Sequence, residues 1–142
     1  MQRSQPLIPL SHDHHHGLVF IRRVKSQLQD SADVGAIVAY VLAFWDEDLL
    51  RHFEEEEQYI FPLVPDNDLL RMRAEQEHMK VRAIMTMLRE GPPEAAALVQ
   101  HLADLLTAHI RFEERELFPL IEQVAGPLKL AAAGEMLASR TH

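Results

Sequence analysis

Two stretches of the sequence, 57 positions apart, repeat one pattern in register. HFEEEEQYIFPL occupies residues 52–63 and HIRFEERELFPL occupies residues 109–120. In both stretches a His is followed four residues later by a Glu, and then by Phe-Pro-Leu. Residues four apart lie on the same face of a helix. The repeat therefore predicts two helices, each of which presents one imidazole and one carboxylate together.

Both repeats lie on apolar stripes, where ionisable side chains are unusual. His52 and Glu56 continue a stripe whose steps of three and four face a helical core; its other members are Val38, Leu42, Trp45, Leu49, Tyr59 and Leu63. His109 continues a second stripe, formed by Leu98, Leu102, Leu105 and Phe112. A buried carboxylate costs several kcal/mol unless it is paired or coordinated. Since the facing stripes carry no Lys or Arg, bound metal is the simplest compensation.

The spacing of helix breakers predicts an all-α fold. Breakers divide the chain into four long segments and a short one, and none of the five shows strand-like alternation. Ser11 is the predicted N-cap of the first helix. We predict an up-down-up-down four-helix bundle over about residues 12–29, 31–61, 67–89 and 93–124, with a short C-terminal helix at 128–137. The chain is predicted to be one domain, 1–142, with the bundle at about 10–125 and the short helix within 126–142.

Composition narrows the choice of ligands and partners. The chain has no cysteine, so a metal would bind to His and carboxylate side chains rather than to thiolates. Its 22 acidic residues outnumber its 14 Lys plus Arg, for a formal net charge of -8, which disfavours nucleic acid and anionic membranes as partners. No apolar run approaches the ~20 residues of a membrane helix, and the N-terminus lacks a signal-peptide pattern. A cytoplasmic protein is therefore expected.

Two further helices carry histidine on their apolar faces. His78 lies on the third stripe, with Ala74, Val81, Met85 and Leu88. In the first helix, His14 lies four residues before Leu18 on the buried face, and His15, three before Leu18, is the alternative. Four imidazoles and two carboxylates suit two closely spaced divalent ions, because a single zinc uses only four donors. Nitrogen and oxygen ligands with open positions favour iron, with manganese or zinc as alternatives.

This set of residues resembles the hemerythrin-like proteins of the HHE cation-binding family. That family has a His in helix one, His-x-x-x-Glu in helix two, a His in helix three and His-x-x-x-Glu in helix four. The pattern is met over about residues 10–125 by His14 (or His15), His52, Glu56, His78, His109 and Glu113. The resemblance implies a non-haem di-iron centre in a four-helix bundle, bridged by the two glutamates and an oxo or hydroxo group.

The third helix departs from the oxygen-carrying hemerythrins, which are similar but place two histidines four apart there. The positions four before and four after His78 are Ala74 and Arg82. The missing imidazole leaves a metal position for water or an outside ligand, or brings in another acid such as Glu75. The expected function is therefore a non-haem di-iron protein that binds or senses oxygen, nitric oxide or peroxide, or that holds iron.

Two other functions stay open at this point. One is a di-iron oxidase or peroxidase of the ferritin-like class, whose Glu-x-x-His spacing occurs once here, at Glu75 and His78. The other is a metal-free helical interaction module with acidic docking faces.

Overall fold

The computed structural model describes residues 3–30 and 33–140, and every regular element in these two ranges is helical. α1 (Ile8–Gln29) follows a short 3-10 turn. α2 (Val34–Phe44) and α3 (Leu50–Glu55) belong to one continuous helical run over residues 34–63. The prediction of an all-α fold is confirmed.

The second half of the chain has the same organisation. α4 is Leu69–Arg89. α5 (Ala95–Phe112) and α6 (Phe118–Ala125) belong to a continuous run over residues 95–125, and α7 (Pro127–Arg140) follows. None of the helices in the two described ranges is both long enough and apolar enough to cross a bilayer.

Short polar residues and glycines mark the helix ends. The side chains of Asp33 and Asp68 accept hydrogen bonds from backbone N–H groups in the first turns of α2 and α4, at 3.2 and 2.9 Å. Gly91 and Gly126 follow α4 and α6 with φ of 66° and 79°, a conformation that favours glycine. These residues explain why the predicted and observed ends of the long helices agree within a few residues.

The start of α1 differs from the prediction. The helix begins at Ile8, because the preceding 3-10 turn and Pro9 in the first turn initiate it there. The prediction of Ser11 as the N-cap is therefore wrong. Ser11 lies inside the helix, and its hydroxyl donates a hydrogen bond to Glu114 at 2.8 Å.

Three π-helical segments interrupt the long runs. They lie at Trp45–Leu49, Glu56–Ile60 and Glu113–Leu117. A π turn holds more residues than an α turn, so buried positions are spaced by four across it. Before His52 the buried residues are therefore Ile37, Val41, Trp45 and Leu49. The predicted stripe members Val38 and Leu42 are only half-buried, because the prediction assumed an unbroken α-helical period.

The ionisable residues of the repeats lie where two apolar clusters meet. α1 and α4 both pack against α2 and α5. One cluster, which includes Phe53, fills the space between these helices, and the other, which includes Phe61, is covered by α7. Phe53 stacks on the ring of His78 at 3.7 Å between centroids, and Phe61 lies 5.2 Å from the same ring. His78 thus lies at the boundary between the two clusters.

Candidate metal centre

The six residues predicted as metal ligands lie together at the centre of the helices, and all six are buried: His14, His52, Glu56, His78, His109 and Glu113. They form two groups of four that share Glu56 and Glu113. One group adds His14 and His52, and the other adds His78 and His109. Within each group, one ligand atom per residue lies within 4.8 Å of the others. Two carboxylates therefore lie between two pairs of imidazoles.

The two residues kept as alternatives lie outside these groups. His15 is exposed on α1, next to the buried His14. Glu75 accepts a hydrogen bond from Arg71 at 3.2 Å and belongs to neither group. The position four residues before His78 is filled by the fully buried Ala74. The structure thus offers two imidazoles to each half of the centre.

Each imidazole is held from outside by a second carboxylate, which accepts a hydrogen bond from Nδ1. The four pairs are His14 with Glu114 at 2.6 Å, His52 with Asp13 at 3.0 Å, His78 with Glu57 at 2.7 Å, and His109 with Glu77 at 2.7 Å. We call Asp13, Glu57, Glu77 and Glu114 the outer acids. A carboxylate on Nδ1 fixes the tautomer whose Nε2 is free to bind a metal, and orients the ring.

All four Nε2 atoms face the two inner carboxylates. His14 and His109 lie 2.9 and 3.3 Å from oxygens of Glu113. His78 and His52 lie 3.0 and 3.4 Å from oxygens of Glu56. Every imidazole therefore presents one nitrogen to an outer acid and the other nitrogen to the shared carboxylates.

Several of these inward atoms lack a hydrogen-bond partner within the described part of the chain. They are Nε2 of His52, His78 and His109, both carboxylate oxygens of Glu56, and Oε2 of Glu113. Leaving a buried polar atom unpaired costs about 1–3 kcal/mol. Imidazole nitrogens and carboxylate oxygens are the ligands that first-row divalent ions take in cysteine-free sites. The donor set and its unpaired atoms therefore fit a pair of such ions.

In the metal-free chain, protons on His52 and His109 balance charge on the inner carboxylates. Burial alone would lower the pKa of His52 and His109, but the charge of Glu56 raises the pKa of His52 to about 9, and that of Glu113 raises the pKa of His109 to about 10. Burial opposes the ionised form of Glu56 as well, yet His52 holds the pKa of this carboxyl well below its usual range. Metal binding must therefore displace protons from His52 and His109.

The outer acids are ionised at neutral pH. Burial would raise the pKa of Glu57, but hydrogen bonds from His78 and Arg82 lower it to about 2. The pKa values of the other three outer acids are lowered too, against the effect of burial, mainly by the imidazole that each one holds. An ionised carboxylate is an acceptor only, so each outer acid keeps the Nδ1 proton in place.

None of the outer acids was among the predicted site residues, although the internal repeat contains two of them. Two of them directly follow the inner carboxylates: Glu57 follows Glu56, and Glu114 follows Glu113. The other two, Asp13 and Glu77, directly precede the histidines of α1 and α4. The repeat therefore relates Glu57 to Glu114, while Asp13 and Glu77 share only their position before a histidine.

Aromatic rings exclude water from the centre. The Phe of each Phe-Pro pair is fully buried. Phe118 stacks on His14 at 5.4 Å, as Phe61 and Phe53 pack on His78. Since charges interact more strongly where water is absent, these rings strengthen every ionic contact at the centre. They also give the repeated Phe a role in the site.

Comparison with known proteins agrees with this geometry. The sequence model of the hemerythrin HHE cation binding domain matches residues 4–121, a range that contains both repeats and all six inward residues. The chain matches none of the curated proteins and none of the solved structures with which it was compared. The family match and the paired His and Glu groups support cation binding. The chain belongs to the hemerythrin HHE cation binding domain family.

Proposed function

We propose that this chain holds two iron ions that share Glu56 and Glu113, within an up-down-up-down four-helix bundle, and that this centre binds or senses a small ligand such as oxygen, nitric oxide or peroxide. The observation that carries the proposal is the set of buried nitrogens and oxygens without hydrogen-bond partners where the two ligand groups meet. A metal pair would satisfy these atoms and neutralise the two inner carboxylates.

The two halves of the centre have equivalent protein ligands. His14 and His52 would hold one ion, and His78 and His109 the other. Nitrogen and oxygen donors with open positions favour iron, and manganese or zinc fit the same donors. When bound, an iron pair supplies electrons for redox chemistry and open positions for a small ligand.

The protein's own contribution is to orient the imidazoles, to supply negative charge for the ions and to exclude water from the centre. The outer acids hold the Nδ1 protons and so keep the Nε2 atoms directed inward. With neutral imidazoles, Glu56 and Glu113 give the six inward residues a net charge of -2. The rings of Phe53, Phe61 and Phe118 line the histidines and limit access of water.

The two other functions receive less support. The ferritin-like oxidase or peroxidase class uses a pair of Glu-x-x-His motifs, whereas this chain has one, and its acid, Glu75, pairs with Arg71. A metal-free interaction module leaves the unpaired atoms of Glu56 and the imidazoles without an explanation. Iron storage or delivery would use the same ligands, so a test of metal content comes first.

Metal analysis of the purified chain tests the proposal. We expect two iron ions per chain, one for each ligand group, with ligand-to-iron charge-transfer absorption in the near ultraviolet. His109→Ala is expected to lose at least one ion, because it removes a buried ligand. The control is His101→Ala, an exposed histidine of the same helix, which should keep both. A metal-to-chain ratio well below one in the unchanged protein would reject the proposal.

A further inference from the structure

Each outer acid also contacts a guanidinium. Arg82 donates to both carboxylate oxygens of Glu57, at 2.6 and 2.9 Å. The other three contacts are Arg73 to Glu77 at 3.1 Å, Arg3 to Glu114 at 3.3 Å, and Arg51 to Asp13 at 3.8 Å. We call Arg3, Arg51, Arg73 and Arg82 the arginine ring. Four chains of contacts thus run from an arginine through an acid and an imidazole to the centre.

The internal repeat does not account for the arginine ring. The outer acids and the histidines of the two halves occupy related positions, but the arginines do not: Arg51 directly precedes His52, Arg82 follows His78 by four residues, and Arg3 lies ahead of α1. Four guanidiniums nevertheless reach the four acids. This convergence indicates that each outer acid requires a cation, whatever its place in the sequence.

The kind of cation is also informative. The chain has eleven Arg and three Lys, and all four positions of the ring are Arg. A guanidinium is always charged, and its planar fork matches a carboxylate, whereas an ammonium is a mobile point charge. Arg at these positions therefore suits a role in which the orientation of the acid matters as well as its charge.

We propose that the arginine ring positions the four imidazoles and raises the reduction potential of the metal pair, acting through the outer acids. This inference rests on the proposed metal centre and extends it to residues that touch neither a metal nor a ligand. The side chains of the outer acids are 12–31 % exposed, so water competes for them. A guanidinium beside each carboxylate keeps it turned toward Nδ1, and at Asp13, Glu77 and Glu114 it contacts the oxygen that the imidazole does not. At Glu57, Oε2 accepts from both Arg82 and His78.

The second effect of the ring is electrostatic. The outer acids carry four negative charges, each one imidazole away from the centre, and the ring supplies positive charges that partly offset them. The offset is least complete at Glu114 and Asp13, because Arg3 also pairs with Glu122 at 2.8 Å and Arg51 with Glu55 at 3.0 Å. A nearby positive charge favours the metal state of lower charge, which is the reduced state. Loss of one arginine should therefore lower the reduction potential.

The contact lengths predict an order among the four arginines. Arg82 makes two short hydrogen bonds with Glu57, and its removal should have the largest effect. Arg51 is the most loosely connected, since it lies 3.8 Å from Asp13 and donates instead to Glu55 at 3.0 Å. Its removal should have the smallest effect on the metal pair.

The test uses the iron-loaded full chain. Arg82→Gln is expected to release iron to a chelator roughly threefold to tenfold faster, below the 10- to 100-fold effect typical when the direct partner of a ligand is removed. Its midpoint potential should shift negative. Arg82→Lys keeps the charge without the fork, so it should release iron faster at a nearly unchanged potential. The control is Arg111→Gln, an exposed residue two positions after His109 that makes no ion pair among the described residues; it should change neither quantity.

The outcomes separate this inference from the proposed function. If the unchanged chain binds two iron ions and Arg82→Gln behaves like Arg111→Gln, the arginine ring has no such role. If the unchanged chain binds no metal, both proposals fall together. Should Arg82→Gln fail to fold, Arg82→Lys decides the question, since release at the rate of the unchanged chain overturns the positioning role. A larger effect from Arg51→Gln than from Arg82→Gln would also contradict it.

Discussion

Glu75 and Glu77 lie two residues apart on α4. A comparison of their Gln variants would show how much an outer acid contributes to metal binding. Each acid accepts a hydrogen bond from an arginine four residues earlier, Arg71 at 3.2 Å and Arg73 at 3.1 Å. Only Glu77 also accepts from His109, at 2.7 Å. Glu77→Gln is therefore expected to weaken metal binding by about 10- to 100-fold, whereas Glu75→Gln should leave it unchanged.

Competition with a coloured chelator measures both affinities. The two variants lose the same charge and the same kind of helix pair, so the difference between them isolates the effect of a charged, rather than an amide, acceptor at His109. Equal losses in both variants would mean that charge alone matters. An unchanged metal affinity in Glu77→Gln would contradict the proposal that the outer acids orient the imidazoles for metal binding.

The run EEEE at residues 54–57 explains why single residues were only partly predictable. Glu54 is exposed, Glu55 is buried against Arg51, Glu56 faces the centre and Glu57 holds His78. Spacing from His52 and the apolar stripe single out Glu56 in the sequence, since residues four apart share a helix face. No such rule identifies Glu57, because the direction of its side chain and the position of α4 decide its partner.

At the scale of the helix, the residues at which helices begin and end were more predictable than the residues that each helix buries. Local residues such as Asp68 and Gly91 terminate helices through their own hydrogen bonds and φ angles. The π segments at Glu56–Ile60 and Glu113–Leu117 carry no comparable local signal, although both directly precede a Phe-Pro pair. Prolines lack a backbone N–H, but the irregular turn itself depends on how the helices pack. The burial pattern after such a turn could not be inferred from a constant period.

The docking of α7 depends on a glycine at its contact with the N-terminal turn. A Cβ added at Gly134 would lie 2.9 Å from Cβ and 3.2 Å from Cα of Pro6, too close without a shift of the backbone. A Cβ at Gly35, near the start of α2, would meet its closest neighbour at an ordinary 3.5 Å. Substitution of Gly35 by alanine therefore serves as the control for the same substitution at Gly134.

Gly134→Ala is expected to lower the free energy of unfolding by about 1–2 kcal/mol, because overpacking outweighs the higher helix propensity of alanine. Gly35→Ala should raise it by up to about 1 kcal/mol, since only the propensity changes. Urea denaturation followed by circular dichroism measures both. Equal stabilisation by the two substitutions would show that α7 does not pack this closely on Pro6.

At the scale of the whole molecule, two sets of titrating groups set opposite pH limits for the metal-free chain. The pKa values of His52 and His109 rise from 6.5 to about 9 and about 10, so their contribution to stability is complete below pH 6.5 and disappears as pH rises through 9 to 10. The pKa of Glu57 falls from 4.5 to about 2; its contribution is present above pH 4.5 and disappears as pH falls toward 2. The metal-free chain should therefore be most stable between about pH 4.5 and pH 6.5, where both contributions are present.

Bound metal should prevent the loss of stability at high pH, because the ions replace the imidazole protons as partners of Glu56 and Glu113. Between pH 6.5 and 10 we expect the melting temperature of the metal-free chain to fall, while that of the metal-loaded chain stays nearly constant. Loading at pH 7 should release protons from His52 and His109, whose pKa values lie above that pH, and an indicator dye in weak buffer measures them. The comparison sample is His109→Ala, which should release fewer protons. Parallel melting curves for the two forms, together with no proton release on loading, would mean that metal does not take the place of these protons.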